Sequence, residues 1–90
     1  MTGIAGVKIK IMPDSPQADI EKIKNSAIKI VEKQGGVNRE YKIEPIAFGL
    51  KAVIAFFEWP EEKALEEVEG KFEKIKNVQS VRVIDLRKIA

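Results

Sequence analysis

Apolar and polar residues alternate strictly near the start of the chain. Over residues 7–11, three branched apolar side chains are separated by Lys8 and Lys10. A period of two places the apolar side chains on one face of a β-strand and the lysines on the other. Residues 12–16 interrupt the pattern with two prolines, an aspartate and a serine, which are common where a strand connects to a helix. The sequence therefore predicts a half-buried strand over residues 7–11, followed by a helix.

Two later segments carry the apolar stripe of an amphipathic α-helix. The first stripe consists of Ile20, Ile23, Ala27, Ile30 and Val31, and the glycine pair at positions 35 and 36 is expected to end this helix. The second stripe consists of Leu65, Val68, Phe72 and Ile75. Pro60 is predicted as the first residue of the second helix, because its fixed φ suits that position, and Glu61 and Glu62 would then lie at the positive end of the helix dipole.

The three remaining segments are predicted to be strands. Residues 37–43 are mostly polar and fit an edge strand, whereas residues 50–59 are the most hydrophobic run and fit a central strand. Residues 78–86 alternate again and fit a last strand. The order strand, helix, strand, strand, helix, strand predicts an α+β, ferredoxin-like βαββαβ fold, with a four-stranded antiparallel sheet and both helices on one face. We expect residues 1–90 to form a single domain.

Composition then limits the possible chemistry. The chain has 90 residues, of which 44% are hydrophobic and 33% charged, and its net charge is +2. These values are typical of a globular protein and point to no particular polyanionic partner. The chain contains no cysteine and no histidine, so it cannot form a disulfide, a Cys/His zinc site, a thiolate nucleophile or an imidazole base. No run of apolar residues approaches the length of a membrane span or a signal peptide, and we expect a cytoplasmic protein.

Several binding and catalytic sites can be weighed on this fold. The glutamates of the second helix alternate with lysines and fit a solvated surface better than a catalytic pair, and the glycines match no phosphate-binding loop. We therefore predict neither an enzyme nor a metal or cofactor site. An RNA-binding module that uses Lys8, Lys10 and Arg82 on the open sheet face remains an alternative, although the adjacent Phe56 and Phe57 must point to opposite faces. A domain that dimerises through the open sheet face is a third possibility.

Two segments are not explained by the requirements of the fold. Residues 45–50 read Pro-Ile-Ala-Phe-Gly-Leu and place apolar side chains in a turn between two strands. Ile46 and Phe48 either pack beneath the sheet or are available to a partner. Residues 86–90 continue past the end of the predicted last strand with two adjacent cations, Arg87 and Lys88. This segment is either a solvated tail or a second contact.

At these segments the sequence resembles a known family. The chain closely resembles the archaeal elongation factor 1-beta family in three segments, which are residues 7–16, 44–50 and 78–88. The resemblance extends over essentially the whole chain. Its most specific element is the Pro-Ile-Ala-Phe-Gly-Leu segment, which is similar to Pro-Ile-Gly-Phe-Gly-Ile in the C-terminal domain of the eukaryotic beta subunit. That domain has the fold predicted above, and we expect no counterpart here of the long N-terminal region that binds the eukaryotic gamma partner.

The resemblance implies guanine nucleotide exchange on the elongation factor 1-alpha GTPase, without covalent chemistry, cofactor or direct nucleic-acid contact. In the eukaryotic family, a phenylalanine of this segment and a lysine near the chain end engage the GTPase, and the lysine enters the magnesium site. The matching positions are Phe48 and Lys88, although two residues follow Lys88 where one follows the eukaryotic lysine. The resemblance further implies a set of partner-binding residues, which are Pro45, Ile46, Gly49, Leu50 and Arg87.

Overall fold

Four strands and two helices follow one another in the order that the sequence predicts. The computed structural model describes residues 3–89, and neither helix in this range is long and apolar enough to cross a membrane. The elements are β1 (Ile4–Pro13), α1 (Ile20–Lys33), β2 (Val37–Pro45), β3 (Lys51–Pro60), α2 (Leu65–Glu73) and β4 (Val78–Lys88), and a 3-10 turn (Ala47–Gly49) joins β2 to β3.

The strands form one antiparallel sheet in the order β2-β3-β1-β4. The predicted edge strand β2 and the predicted central strand β3 therefore occupy the expected positions. Helix α1 packs against β3 and helix α2 against β4, and the two helices also contact each other. Both helices cover the same face of the sheet, which leaves the other face open. This arrangement confirms the predicted ferredoxin-like βαββαβ fold.

The core lies between the helices and the sheet. The apolar residues at positions 7, 9 and 11 of β1 are fully buried there, as their alternation predicts. Phe57 is also fully buried, and its ring makes edge-on contacts with Trp59 at 6.1 Å and Phe72 at 6.2 Å between centroids. Its neighbour Phe56 points to the open face, where the Lys8 ammonium lies 5.6 Å from its ring centroid. The prediction that the two phenylalanines face opposite ways is therefore confirmed.

The predicted start of the second helix is wrong. Pro60 is the last residue of β3 and pairs with Ile4, and α2 begins five residues later at Leu65. The chain after Pro60 still forms a backbone hydrogen bond with the residue that precedes β1: the Glu61 N–H donates to the Gly3 carbonyl at 3.0 Å. Consequently Glu61 does not lie in the first turn of the helix. The helix also ends earlier than predicted, since Ile75 follows it in a turn, although its side chain still packs against the core.

The last strand is longer than predicted. Lys88 lies within β4 and pairs with Ala5, and the Ile89 N–H donates to the Ile4 carbonyl at 2.9 Å. The expectation that the segment after Leu86 leaves the sheet is therefore wrong, at least through Ile89. The physical reason is that β1 itself begins at Ile4, which provides partners for the end of β4. Position 90 lies outside the described residues.

Candidate functional site

The connection between β2 and β3 is a tight turn with Phe48 at its tip. Phe48 has φ 63° and ψ 30°, and Gly49 has φ 76°. The Leu50 N–H donates to the Ala47 carbonyl at 3.3 Å, and the Ile46 N–H donates to the Leu50 carbonyl at 2.7 Å. Two consecutive positive φ angles closed by such a hydrogen bond are those of a type I′ hairpin turn.

Phe48 occupies this turn at an energetic cost. The left-handed conformation costs a residue with a Cβ about 1–2 kcal/mol, and hairpin turns of this type normally carry asparagine, aspartate or glycine. The Phe48 side chain recovers none of this cost by packing, since it is 94% exposed. Of the two possibilities for Phe48, burial beneath the sheet is therefore wrong. A strained, fully exposed aromatic residue is available to a partner.

The other residues of the turn segment shape it. Pro45 ends β2 opposite Lys51 and is exposed, and Gly49 is exposed beside Phe48. Ile46 and Leu50 are half-buried at the base of the turn, where their backbones pair. The segment that the sequence singles out is thus one continuous feature, with Phe48 as its projecting side chain.

Lys88 lies at the other end of the sheet. Through the register, Lys88 is level with Ala5 of β1 and Trp59 of β3, on the face that the helices cover. Its side chain is 71% exposed, and the Nζ atom lies 3.9 Å from Oε1 of Glu61, whose side chain is 39% exposed. The strand fixes the backbone of Lys88 while the ammonium group stays accessible. Sequence reasoning missed Glu61 as a neighbour of this lysine, because it placed Glu61 in the helix.

A shallow cavity of about 240 Å³ opens beside Lys88. Four apolar residues line it, together with charged groups at its rim. The apolar lining consists of Ala5, Trp59, Leu65 and Leu86. Leu86 lies on the same face as Lys88, two residues earlier in β4, and is 59% exposed. The lysine therefore emerges next to apolar surface rather than from a uniformly charged one.

Arg87 does not share the position of Lys88. Consecutive side chains of a strand point to opposite faces, and Arg87 pairs with Gly6 and lines a depression on the open face together with Phe56. Its guanidinium lies 3.2 Å from the carboxylate of Asp85. The two cations that are adjacent in sequence thus lie on opposite faces of the strand, although Arg87 also borders the cavity beside Lys88.

The two candidate contacts are also far apart. The turn with Phe48 precedes the first residue of β3, whereas Lys88 is level with Trp59 near its end. Eight residues of strand at about 3.3 Å each separate the two levels by roughly 26 Å. The molecule is 45 Å along its longest axis, so Phe48 and Lys88 lie near opposite ends.

The open face offers little to RNA. Lys8, Lys10 and Arg82 do lie on this face, but Asp85 pairs with Lys8 on one side, and Glu40 lies beyond Phe56 on the other side in the same row across the sheet. The aromatic residue of the face, Phe56, is half-buried under Lys8 rather than free to stack on a base. No observation favours the RNA-binding alternative. Among residues 3–89, no group of acidic side chains is arranged to hold a metal ion.

Comparison with known proteins identifies the family to which this chain belongs. Residues 6–89 match a family model described as the EF-1 guanine nucleotide exchange domain. The chain is 39% identical over 80 residues to elongation factor 1-beta from Methanocaldococcus jannaschii, which covers 88% of this chain and 90% of the relative. It is 34% identical over 88 residues to elongation factor 1-beta from Methanosarcina barkeri, with 97% and 99% covered.

A solved structure shares the architecture. The ACT domain of a GTP pyrophosphokinase from Chlorobium tepidum superposes with a TM-score of 0.63, over 93% of this chain and 100% of that one. At 15% identity, this likeness shows the common fold alone. The match to the family model and the similarity to the archaeal relatives carry the functional conclusion. The chain belongs to the EF-1 guanine nucleotide exchange domain family and acts as a guanine nucleotide exchange factor in translation elongation.

Proposed function

We propose that the chain accelerates release of GDP from the elongation factor 1-alpha GTPase through contacts at its two ends. The named relatives are elongation factors 1-beta, which supports elongation factor 1-alpha as the partner. Exchange makes and breaks no covalent bond, so the absence of cysteine and histidine from the sequence is no handicap. The factor acts by binding the nucleotide-free GTPase more tightly than the loaded one.

The energy required follows from reciprocity. The factor weakens nucleotide binding by the same free energy with which nucleotide weakens binding of the factor. A thousandfold effect corresponds to about 4 kcal/mol. Contacts that form only with the nucleotide-free GTPase must supply this difference.

Lys88 is the residue proposed to act at the magnesium site of the GTPase. Its backbone is held in β4 while its ammonium is exposed near one end of the molecule, and this is the observation that carries the proposal. An ammonium that enters a magnesium site competes with the ion for its negatively charged ligands. Magnesium also requires near-ideal octahedral geometry, so a small intrusion weakens its binding. Loss of the ion removes a positive charge that holds the nucleotide phosphates.

Phe48 is the residue proposed to anchor the other end. An exposed aromatic side chain at the tip of a rigid hairpin can enter a pocket on a partner with little loss of conformational entropy. Pro45, Ile46, Gly49 and Leu50 would contribute the shape of the turn. Arg87 would add a contact only if the GTPase also reaches the open face of the sheet, because it points there.

The remaining parts of the proposal concern the class of protein. Residues 1–90 act as one exchange module that carries out no chemical transformation, binds no cofactor of its own and needs no nucleic-acid contact. An elongation factor works where ribosomes translate, so we place it in the cytoplasm.

Release of fluorescent GDP from elongation factor 1-alpha tests the proposal. The chain should accelerate release at substoichiometric concentration, and Lys88→Ala should lower the maximal rate at least tenfold. Its melting temperature should change little, since exposed ion pairs contribute about 1 kcal/mol or less. Lys88→Arg should retain only part of the wild-type activity, because a planar guanidinium is a poor substitute for a compact ammonium.

Arg87→Ala serves as the neighbouring comparison. It removes the adjacent cation from the opposite face and should lower the rate much less than Lys88→Ala does. A wild-type maximal rate for Lys88→Ala would rule out the proposed role of Lys88. Failure of the unaltered chain to accelerate release would rule out elongation factor 1-alpha as its partner.

A further inference from the structure

Glu61 and Lys88 are held to the same short stretch of backbone. The Glu61 N–H donates to the Gly3 carbonyl at 3.0 Å, and Lys88 pairs with Ala5 two residues further along. The strand therefore fixes both main-chain positions relative to each other. Across this fixed spacing, the carboxylate of Glu61 lies 3.9 Å from the ammonium of Lys88.

The turn that carries Glu61 is itself well fastened. The Lys63 N–H donates to the Pro60 carbonyl at 3.1 Å, and the indole N–H of Trp59 donates to the Lys63 carbonyl at 3.1 Å. These bonds hold the chain on both sides of Glu61. The backbone position of Glu61 is thus set by the fold and not by the side chain of Lys88.

Among residues 3–89, no cation other than Lys88 forms an ion pair with the Glu61 carboxylate. The ammonium of Lys63, which lines the same cavity, lies 5.6 Å from the Trp59 ring centroid and donates to the Gln34 carbonyl. Arg87 pairs with Asp85. Glu61 therefore has Lys88 as its ion-pair partner among residues 3–89.

We propose that Glu61 is a positioning residue that holds the Lys88 ammonium in the direction from which it enters the GTPase. This inference rests on the proposed role of Lys88 and extends it. A lysine side chain has four rotatable bonds and loses rotamer freedom when its head group is fixed. A carboxylate that already restricts the ammonium group of Lys88 reduces the conformational entropy that the side chain still has to lose when it enters the magnesium site.

Glu61→Gln tests the inference, with Glu62→Gln as the matched control. Both variants remove one negative charge from adjacent positions of the same turn, but Glu62 makes no ion pair within the described part of the chain. Glu61→Gln should lower the maximal rate of GDP release about two- to fivefold, as expected for an exposed ion pair. Glu62→Gln should retain the wild-type rate.

Three readouts distinguish positioning from a structural role. The concentration of factor at half-maximal rate should stay unchanged in Glu61→Gln, because the effect follows docking. The ratio of the Glu61→Gln rate to the Glu62→Gln rate should approach one as salt rises, because exposed charges are then screened. In a Lys88→Ala background, Glu61→Gln should have no further effect.

Each contrary result overturns the inference. Equal rates of GDP release for the two glutamine variants would overturn it. A loss of rate in Glu61→Gln that persists in the Lys88→Ala background or at high salt would also do so. So would a rate for Glu61→Gln above that of the wild type. If Lys88→Ala alone exchanges normally, the proposed function of Lys88 fails first. If Lys88→Ala is inactive and the two glutamine variants are equal, the role of Lys88 stands and only that of Glu61 fails.

Discussion

Phe48 is the residue where stability and proposed function oppose each other. It combines a left-handed backbone conformation with a side chain that is 94% exposed. The fold gains no packing from this ring, and the backbone conformation costs it about 1–2 kcal/mol. A residue that weakens its own domain in this way is expected to be useful in contact with a partner.

Replacing Phe48 should therefore move stability and activity in opposite directions. Phe48→Asn places a residue that tolerates the left-handed region before Gly49, which is the preferred sequence of this turn. We expect the free energy of unfolding to rise by about 1 kcal/mol. Association with the GTPase should weaken by about 2 kcal/mol or more, as for an aromatic anchor at an interface. Urea unfolding and titrated GDP release measure the two effects.

Phe48→Tyr is the control for the aromatic contact. It keeps the ring and the backbone cost, so both stability and exchange should remain near wild type. A marked fall in the stability of Phe48→Asn would mean that the ring packs on the fold after all. Unchanged association for Phe48→Asn would remove Phe48 from the proposed interface.

Single residues also mark the limit of what the sequence reveals. The resemblance pointed to Phe48 and Lys88, but composition and periodicity gave no reason to expect a left-handed phenylalanine, because turn signals rest on glycine, asparagine and proline. The neighbour of Lys88 was missed for a different reason. Glu61 follows a proline, as the first turn of a helix often does, and only the register of β1 reveals that it faces Lys88.

At the scale of elements, the sequence predicted which helices and strands exist better than where they end. The buried stripes at positions 7–11 and in α1 gave the correct faces. The boundary at Pro60 was wrong, because proline suits both the end of a strand and the start of a helix. The predicted end of β4 was also wrong. Pairing with β1 decides where β4 ends, and the local sequence pattern does not indicate that pairing.

Two glycines provide an element-scale prediction about the helices. A Cβ on Gly36, after α1, would lie 2.8 Å from Cγ1 of Val31 and 3.0 Å from the Glu58 carbonyl oxygen. Gly36→Ala should therefore destabilise the protein by about 1–3 kcal/mol. A Cβ on Gly70 in α2 would meet nothing within 4 Å, so Gly70→Ala should stabilise the protein by about 0.5–1 kcal/mol.

Thermal unfolding of the two alanine variants measures both effects. For a domain of this size, 1 kcal/mol corresponds to a shift of about 4–8 °C in melting temperature. Shifts in the same direction would contradict the packing described around α1 or α2. Exchange activity at a temperature where both variants are folded should stay near wild type, because neither glycine lies at the proposed contacts.

At the scale of the whole molecule, the topology followed from the sequence but the distance between the two proposed contacts did not. The order of elements and the chirality of crossovers leave few arrangements for two βαβ units. The placement of Phe48 and Lys88 at opposite ends depends on strand register, which arises from pairing between segments far apart in sequence. A partner that contacts both residues must extend over roughly 26 Å, the rise of about eight strand residues.

This separation predicts independent effects of the two residues. Phe48→Asn should raise the concentration of factor at half-maximal GDP release and leave the maximal rate unchanged, whereas Lys88→Ala should lower the maximal rate. Because the positions share no neighbour, their free-energy effects in the double variant should add to within about 0.5 kcal/mol. Titrated GDP release with both single variants and the double variant completes this cycle. If the double variant loses no more GDP-release activity than the less active of the two single variants, the GTPase does not engage the two ends separately.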